Sequence, residues 1–235
     1  MKNLFNALVI VLFAVLGLTL IWVILELQPP THVHLSKQVL TQLDASGVTH
    51  PVTAVLLNFR GYDTLLEVMV LLLALLGVLA QIGKREQRNL SAWFRLSQPY
   101  LQVLLWLVRM IVPLMVLVAG YLLWVGGHQP GGAFQAGAVL AAAGVLLNLS
   151  GVLPSWAEPA WNLRTGLVFG LLVFLLVAAA VMVVASPGLL LQYPPASAGM
   201  LILLIEMGLT LSLGLILAGL FLFLSGDAIE DEAEK

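Results

Sequence analysis

The sequence predicts an all-α integral membrane protein with six transmembrane helices and both termini cytoplasmic. Three observations carry that expectation. First, 61 % of the 235 residues are hydrophobic and 9 % are charged, with a mean hydropathy of +1.05. A soluble domain has about 45–50 % apolar and about 25 % charged residues. Second, apolar runs long enough to cross a bilayer, which takes about 20 residues, occur near 4–25, 62–82, 100–125, 133–153, 166–185 and 198–224. Third, the basic residues are unevenly placed. Alternating spans put seven on one side (Lys2, Lys84, Arg85, Arg88, Arg95, Arg164, Lys235) and two on the other (Lys37, Arg60), with Arg109 inside a span. Lys and Arg collect on the cytoplasmic side, so the richer side is inside.

Each run is expected to be helical, because lipid offers no partner to an unpaired backbone group. The first lacks a small-residue cleavage site and is about twenty residues long, which fits a span rather than a signal peptide. The chain divides into two blocks. Residues 1–98 hold two spans, an external loop at 28–61 and a basic cytoplasmic linker at 83–98; residues 99–235 hold four spans and an acidic cytoplasmic tail at 227–235. Trp93, Trp106, Trp124, Trp156 and Trp161 fall near span ends, where amphipathic rings favour the interface. The tail is expected to be solvated and partly disordered.

Several chemistries are excluded or disfavoured. With no cysteine, the chain forms no disulfide, thiolate zinc site or cysteinyl iron–sulfur centre. A net charge of −2 and the lack of a basic aromatic patch speak against nucleic-acid binding. No glycine-rich phosphate loop follows a strand, so no nucleotide is expected. His32, His34 and His50 have no nearby acid and are too few for a metal site.

The stretch GGHQPGGAFQAG at 126–137 breaks two apolar runs. Five of its twelve residues are glycine, so its backbone can bend sharply and approach other groups closely. A helix restarting at Gly132 or Ala133 would present bare N–H groups beside the His128 imidazole. The loop is a tight turn between spans or a polar station, and His128 a proton relay or a carbonyl-bonding loop residue.

Glu206 is the deep acid, eight residues into the last run. Glu206, Thr210, Gly214 and Ala218 recur every four residues, a polar and small face suited to packing on another helix. Ala133, Gly137 and Ala141 make a similar small face in the fourth run. A carboxyl in the bilayer is protonated or paired; Glu206 is either a switch on a proton or sodium path or neutral helix glue. Arg109 lies four residues before Pro113. A charge at this depth costs roughly 2.5–3.5 kcal/mol on insertion scales, so it requires protein or water around it. Pro113 frees the Arg109 carbonyl, as a cation ligand or a simple kink. At the mouth of the second span, Arg60, Asp63 and Glu67 share a helix face, as a structural clamp or as a station for a cation.

Two stretches resemble known families. Gly127-His128, Pro130-Gly131-Gly132, Phe134 and Gly137 resemble the G-H-x-x-P-G-G-G-F-x-G-G signature of the MnhB/MrpB family, the B subunit of multisubunit Mrp-type Na+/H+ antiporters; Ala133 and Ala136 replace glycines of that pattern. Glu206-Met207-Gly208 resembles an acid-x-glycine position in the last span of those proteins. Residues 55–67, VLLNFRGYDTLLE, resemble an F-R-G-x-D-T-x-G-E segment. That segment occurs in the C-terminal region of the antiporter A subunit and in the E-type subunit of membrane-bound hydrogenases. Leu66 departs from its glycine, and Asn58 stands where an acid is common. The resemblance implies a transporter subunit, not an enzyme, in the cytoplasmic membrane, joined to other membrane subunits. It implies Na+ and H+ as cargo without a cofactor, and Glu206, Arg109, His128, Asp63, Glu67, Arg60 and Thr210 along an ion path. A hydrogenase-like redox-driven pump and a purely structural scaffold are the alternative hosts for the same features.

Overall fold

The computed structural model describes residues 2–26, 34–82, 98–153, 161–184 and 191–227. These form helices and turns, and there is no β-strand among the described residues. The basic linker with Lys84, Arg85, Arg88 and Arg95, the tail from 228 onward, His32, Trp93 and Trp156 lie outside them.

The chain separates into two compact units, Met1–Gln38 and Val39–Lys235. The first is dominated by α1 (Lys2–Glu26), whose 25 residues include an uninterrupted apolar run. The second unit holds α3 (Leu43–Ser46), α4 (Pro51–Ala54), α5 (Gly61–Ile82), α6 (Gln98–Val125), α7 (Ala133–Leu149), α8 (Trp161–Val184) and α9 (Pro195–Asp227), and the short α2 (Leu35–Thr41) runs across the boundary. The wide-turned segment Val55–Phe59 joins α4 to α5.

Five helices, α1, α5, α6, α8 and α9, are long and apolar enough to cross a membrane. The sixth apolar run folds as α7, which has 17 residues. At 1.5 Å per residue it is about 26 Å long, against about 30 Å of hydrocarbon. The run expected to reach residue 153 stops at Leu149 because Gly151, at φ +73°, reverses the chain. Its Ser150 and Gly151 N–H groups bond back to Leu146 and Asn148 carbonyls.

The 33-residue α9 is the centre of the second unit, with α5, α7 and α8 packed around it. Ile202, Ile205, Leu209, Leu213 and Ile216 are all at most 1 % exposed, so this span is enclosed by protein on most of its circumference. Small residues set the approach of its neighbours. A Cβ on Gly137 of α7 would come 2.9 Å from the Leu213 Cβ, and one on Gly170 of α8 would come 2.7 Å from the Gly208 carbonyl oxygen. The small faces read from the four-residue spacing thus meet each other: Gly137 lies on Thr210, Leu213 and Gly214, and Gly144 on Ala218. The Ser212 hydroxyl donates to the Leu167 carbonyl and ties α9 to α8.

The segment expected as an external loop is largely helical from Leu35 to Phe59. Its part from Leu43 onward packs against the end of the bundle where α6 stops, α7 begins and α9 begins. Gly47, at φ +71°, sits on Pro195 and Ala198, and the Thr53 hydroxyl donates to the Gly126 carbonyl at 2.5 Å. Trp106, Trp124 and Trp161 are all exposed, with 69–76 % of their surface free.

Candidate functional site

The first feature of the site is the start of α7. Its cap residue, Gly132, has φ +104° and ψ −172° and offers no side chain to the helix N-terminus. The cap comes from another helix. The Ala133 N–H donates to the carboxylate of Glu206, which is 4 % exposed on α9. A Cβ on Gly132 would stand 2.7 Å from Glu206 Oε1, so only glycine leaves room for the carboxylate there. The positive end of a helix favours an anion, and bare N–H groups are what a carboxylate accepts from.

A pocket of about 170 Å³ opens beside this carboxylate. Glu206, Ile202, Leu203 and Gly199 of α9 form one wall; Trp124, Gly127 and His128 form another; Gly47, Val48 and Thr49 close it. At roughly 30 Å³ per water, the space holds about six. His128 is exposed at the rim, so the structure places the two titratable groups of the motif loop and of α9 on one cavity.

The loop is held from two directions. Within it, the His128 and Gln129 N–H groups both donate to the Val125 carbonyl, and Gly132 N–H donates to Leu122 O, all at 2.9 Å. From outside, the His50 N–H and the Thr49 hydroxyl donate to the Gly127 carbonyl at 3.1 and 3.2 Å. His50 Nδ1 lies 3.3 Å from Thr53 Oγ1. Behind this strap, Asn58 Nδ2 donates to Ser46 O at 2.9 Å, both residues being buried. A Cβ on Gly126 would come 2.6 Å from Gly132 N, so the two ends of the loop touch. Pro130 is exposed at the tip, Gly131 is half-buried, and Phe134 packs against the core.

The other expected path residues are placed differently. Thr210 is buried, and its hydroxyl donates to the Glu206 carbonyl at 2.7 Å, so it supports α9 rather than facing the pocket. Arg60 pairs with Asp63, with 70 % and 45 % of the side chains exposed, so the pair adds little to stability. Glu67 is exposed one turn on. Arg109 is exposed on α6 and does not line the pocket. Among the described residues no group of three His, Cys, Asp or Glu converges as a metal site.

Thr49, Thr53 and Ser46 belong to the site and were not read from the sequence, and His50 and Trp124, which also belong to it, were read there only as a weak metal candidate and an interfacial ring. A signal existed: Pro51 follows His50 as the first residue of a helix, the position that proline favours. Nothing in the sequence, however, says which backbone the threonines would bind.

The family comparison fits this half of the molecule. Residues 103–218, which include the motif loop, α7, α8 and Glu206, match the family described as a domain related to the MnhB subunit of Na+/H+ antiporter. The match covers just under half of the chain. Two solved assemblies share the fold over more than this domain. A chain of the Mrp complex from Dietzia sp. DQ12-45-1b is similar over 96 % of this chain, with 21 % identity and a TM-score of 0.65. This chain spans 26 % of the length of that one. A chain of the membrane-bound sulfane sulfur reductase, an archaeal respiratory membrane complex, is similar over 94 % of this chain and 98 % of its own, with 22 % identity and a TM-score of 0.63. No curated protein matches. The matched region thus lies in a multi-pass membrane chain.

Proposed function

We propose that the chain is a membrane subunit of a multisubunit Mrp-type Na+/H+ antiporter of the cytoplasmic membrane and contributes part of the ion path. The observation that carries this reading is Glu206, a carboxylate 4 % exposed on an apolar span, oriented by the Ala133 N–H and open to a pocket rimmed by His128. A buried carboxylate exchanges a proton for a cation without moving the backbone, which is what coupling two ions requires. The strap of Thr49, His50 and Thr53 holds the loop so that the pocket keeps its shape. Other membrane subunits supply the rest of the path, Na+ and H+ are the cargo, and neither nucleotide nor cofactor takes part.

A second reading makes the chain a membrane-arm subunit of a redox-driven ion pump. It is favoured by the likeness to the sulfane sulfur reductase chain, which covers 98 % of that chain. A third makes it a scaffold whose buried charge only joins helices.

One pair of measurements separates the three. The tagged chain is extracted in mild detergent, and its co-purifying subunits are identified by mass spectrometry. Hydrophobic antiporter-like subunits without iron–sulfur proteins are expected; redox subunits would establish the second reading. Na+/H+ exchange is then measured in vesicles for Glu206→Gln, whose amide oxygen still accepts from Ala133. Lost exchange with normal assembly is expected, and retained exchange would leave only the scaffold.

A further inference from the structure

Arg109 is a cation within an apolar span, and among the described residues no acid pairs with it. It is eleven residues beyond the start of α6, or about 16 Å along the axis at 1.5 Å per residue. The helix packs on α7 and meets α9. No residue of α7 is acidic, and on α9 the buried Glu206 is held by Ala133. Asp63 is paired with Arg60, and among the described residues no ion pair reaches Arg109. The acids whose side chains are not described, Glu86, Glu158, Asp227 and those from Glu230 onward, belong to polar stretches that flank the spans in sequence.

The surface around it is suited to a helix. Arg109, Pro113, Val116 and Gly120 recur at i, i+4, i+7 and i+11, and all are exposed. A Cβ on Gly120 would meet nothing within 4 Å among the described residues. Small residues beside a polar group are how membrane helices approach closely and bond across. The rest of the exposed face, with Trp106, Met110 and Leu117, is as apolar as any lipid-facing surface and by itself indicates nothing. The arginine decides the matter, because hydrocarbon cannot solvate it and a carboxylate can.

We propose that the Arg109 strip of α6 docks a membrane-spanning helix of another subunit, and that this helix presents an Asp or Glu at the depth of Arg109. The proposal rests on the chain's being one subunit of a larger membrane assembly. It makes Arg109 an assembly residue on the outer surface, separate from the pocket of Glu206.

The test uses the complex extracted from its own membranes. A photo-crosslinker at Val116 is expected to join one membrane-spanning segment that carries an Asp or Glu within a turn of the joined residue. Arg109→Glu is expected to lower recovery of that subunit about tenfold, and changing its acid to Arg should restore recovery. Arg109→Leu, which lipid accommodates, is the control for failed insertion: a normal membrane level with loss of the same subunit is expected. Crosslinks to lipid alone, a joined segment without an acid, or unchanged recovery in Arg109→Leu would each overturn the docking surface. If the unaltered chain purifies without other membrane subunits, it is the multisubunit reading that fails.

Discussion

At the scale of single residues, the site depends on one missing side chain. Gly132 leaves the space that the Glu206 carboxylate fills, and its φ of +104° aims the Ala133 N–H at that carboxylate. Gly132→Ala therefore meets two penalties, backbone strain of about 1–3 kcal/mol and a clash 2.7 Å from Glu206 Oε1. Thermal unfolding of the purified complex should fall by several degrees, and an unchanged transition would show that the carboxylate lies elsewhere. Tyr193 offers the opposite case. It is fully buried, and its hydroxyl has no hydrogen-bond partner among the described residues. Such a group costs about 1–3 kcal/mol, so Tyr193→Phe is expected to keep or raise stability at pH 7. Burial, and then Tyr62, push the Tyr193 pKa above its ordinary 10.0. The folded state thus keeps the proton that the unfolded state loses, and stability falls as pH rises above about 10. Unfolding at pH 8 and pH 11 should show a smaller alkaline loss in Tyr193→Phe than in the parent; equal losses would mean that Tyr193 is not the group responsible.

At the scale of elements, the decisive contact is between α7 and α9. Gly137 has no room for a side chain, since its Cβ would already lie 2.9 Å from that of Leu213. A Cβ on Gly144, two turns on, would stand 3.8 Å from that of Ala218, an ordinary van der Waals contact. Gly137→Leu is expected to cost about 1–3 kcal/mol by overpacking and to move α7 off the Glu206 carboxylate, while Gly144→Ala is tolerated. Fluorescence-detected size exclusion of both variants checks this, and similar profiles would count against tight α7–α9 packing. α7 is short for a span and starts inside the bundle end. Its N-terminus lies at a buried carboxylate where a longer helix would have carried it past.

At the scale of the whole molecule, three segments far apart in sequence meet at one end of the bundle. Gly47 and Val48, the 126–132 loop and the start of α9 together line the pocket. Alternation of spans assigns all of them to the face poor in Lys and Arg, the outside. Because the chain has no cysteine, introduced ones report cleanly. Gln129→Cys should react with an impermeant maleimide added outside intact cells, and Asn162→Cys only after the membrane is opened. The reverse pattern would invert the topology and place the pocket in the cytoplasm.

What the sequence determined by itself is the set of spans and the faces they use. Apolar length and four-residue spacing are local properties, so the runs, the small face of Thr210, Gly214 and Ala218, and the depth of Glu206 are legible from order alone. What Glu206 touches was decided only by the tertiary structure. Its partner Ala133 lies on a different helix, and the strap from Thr53 to Gly126 joins residues 73 apart in the chain. The exposure of Arg109 is likewise invisible in sequence, because a charge in an apolar run reads the same whether it faces inward or outward. Periodicity says which residues share a face; only the closing of helices around α9 says what each face meets.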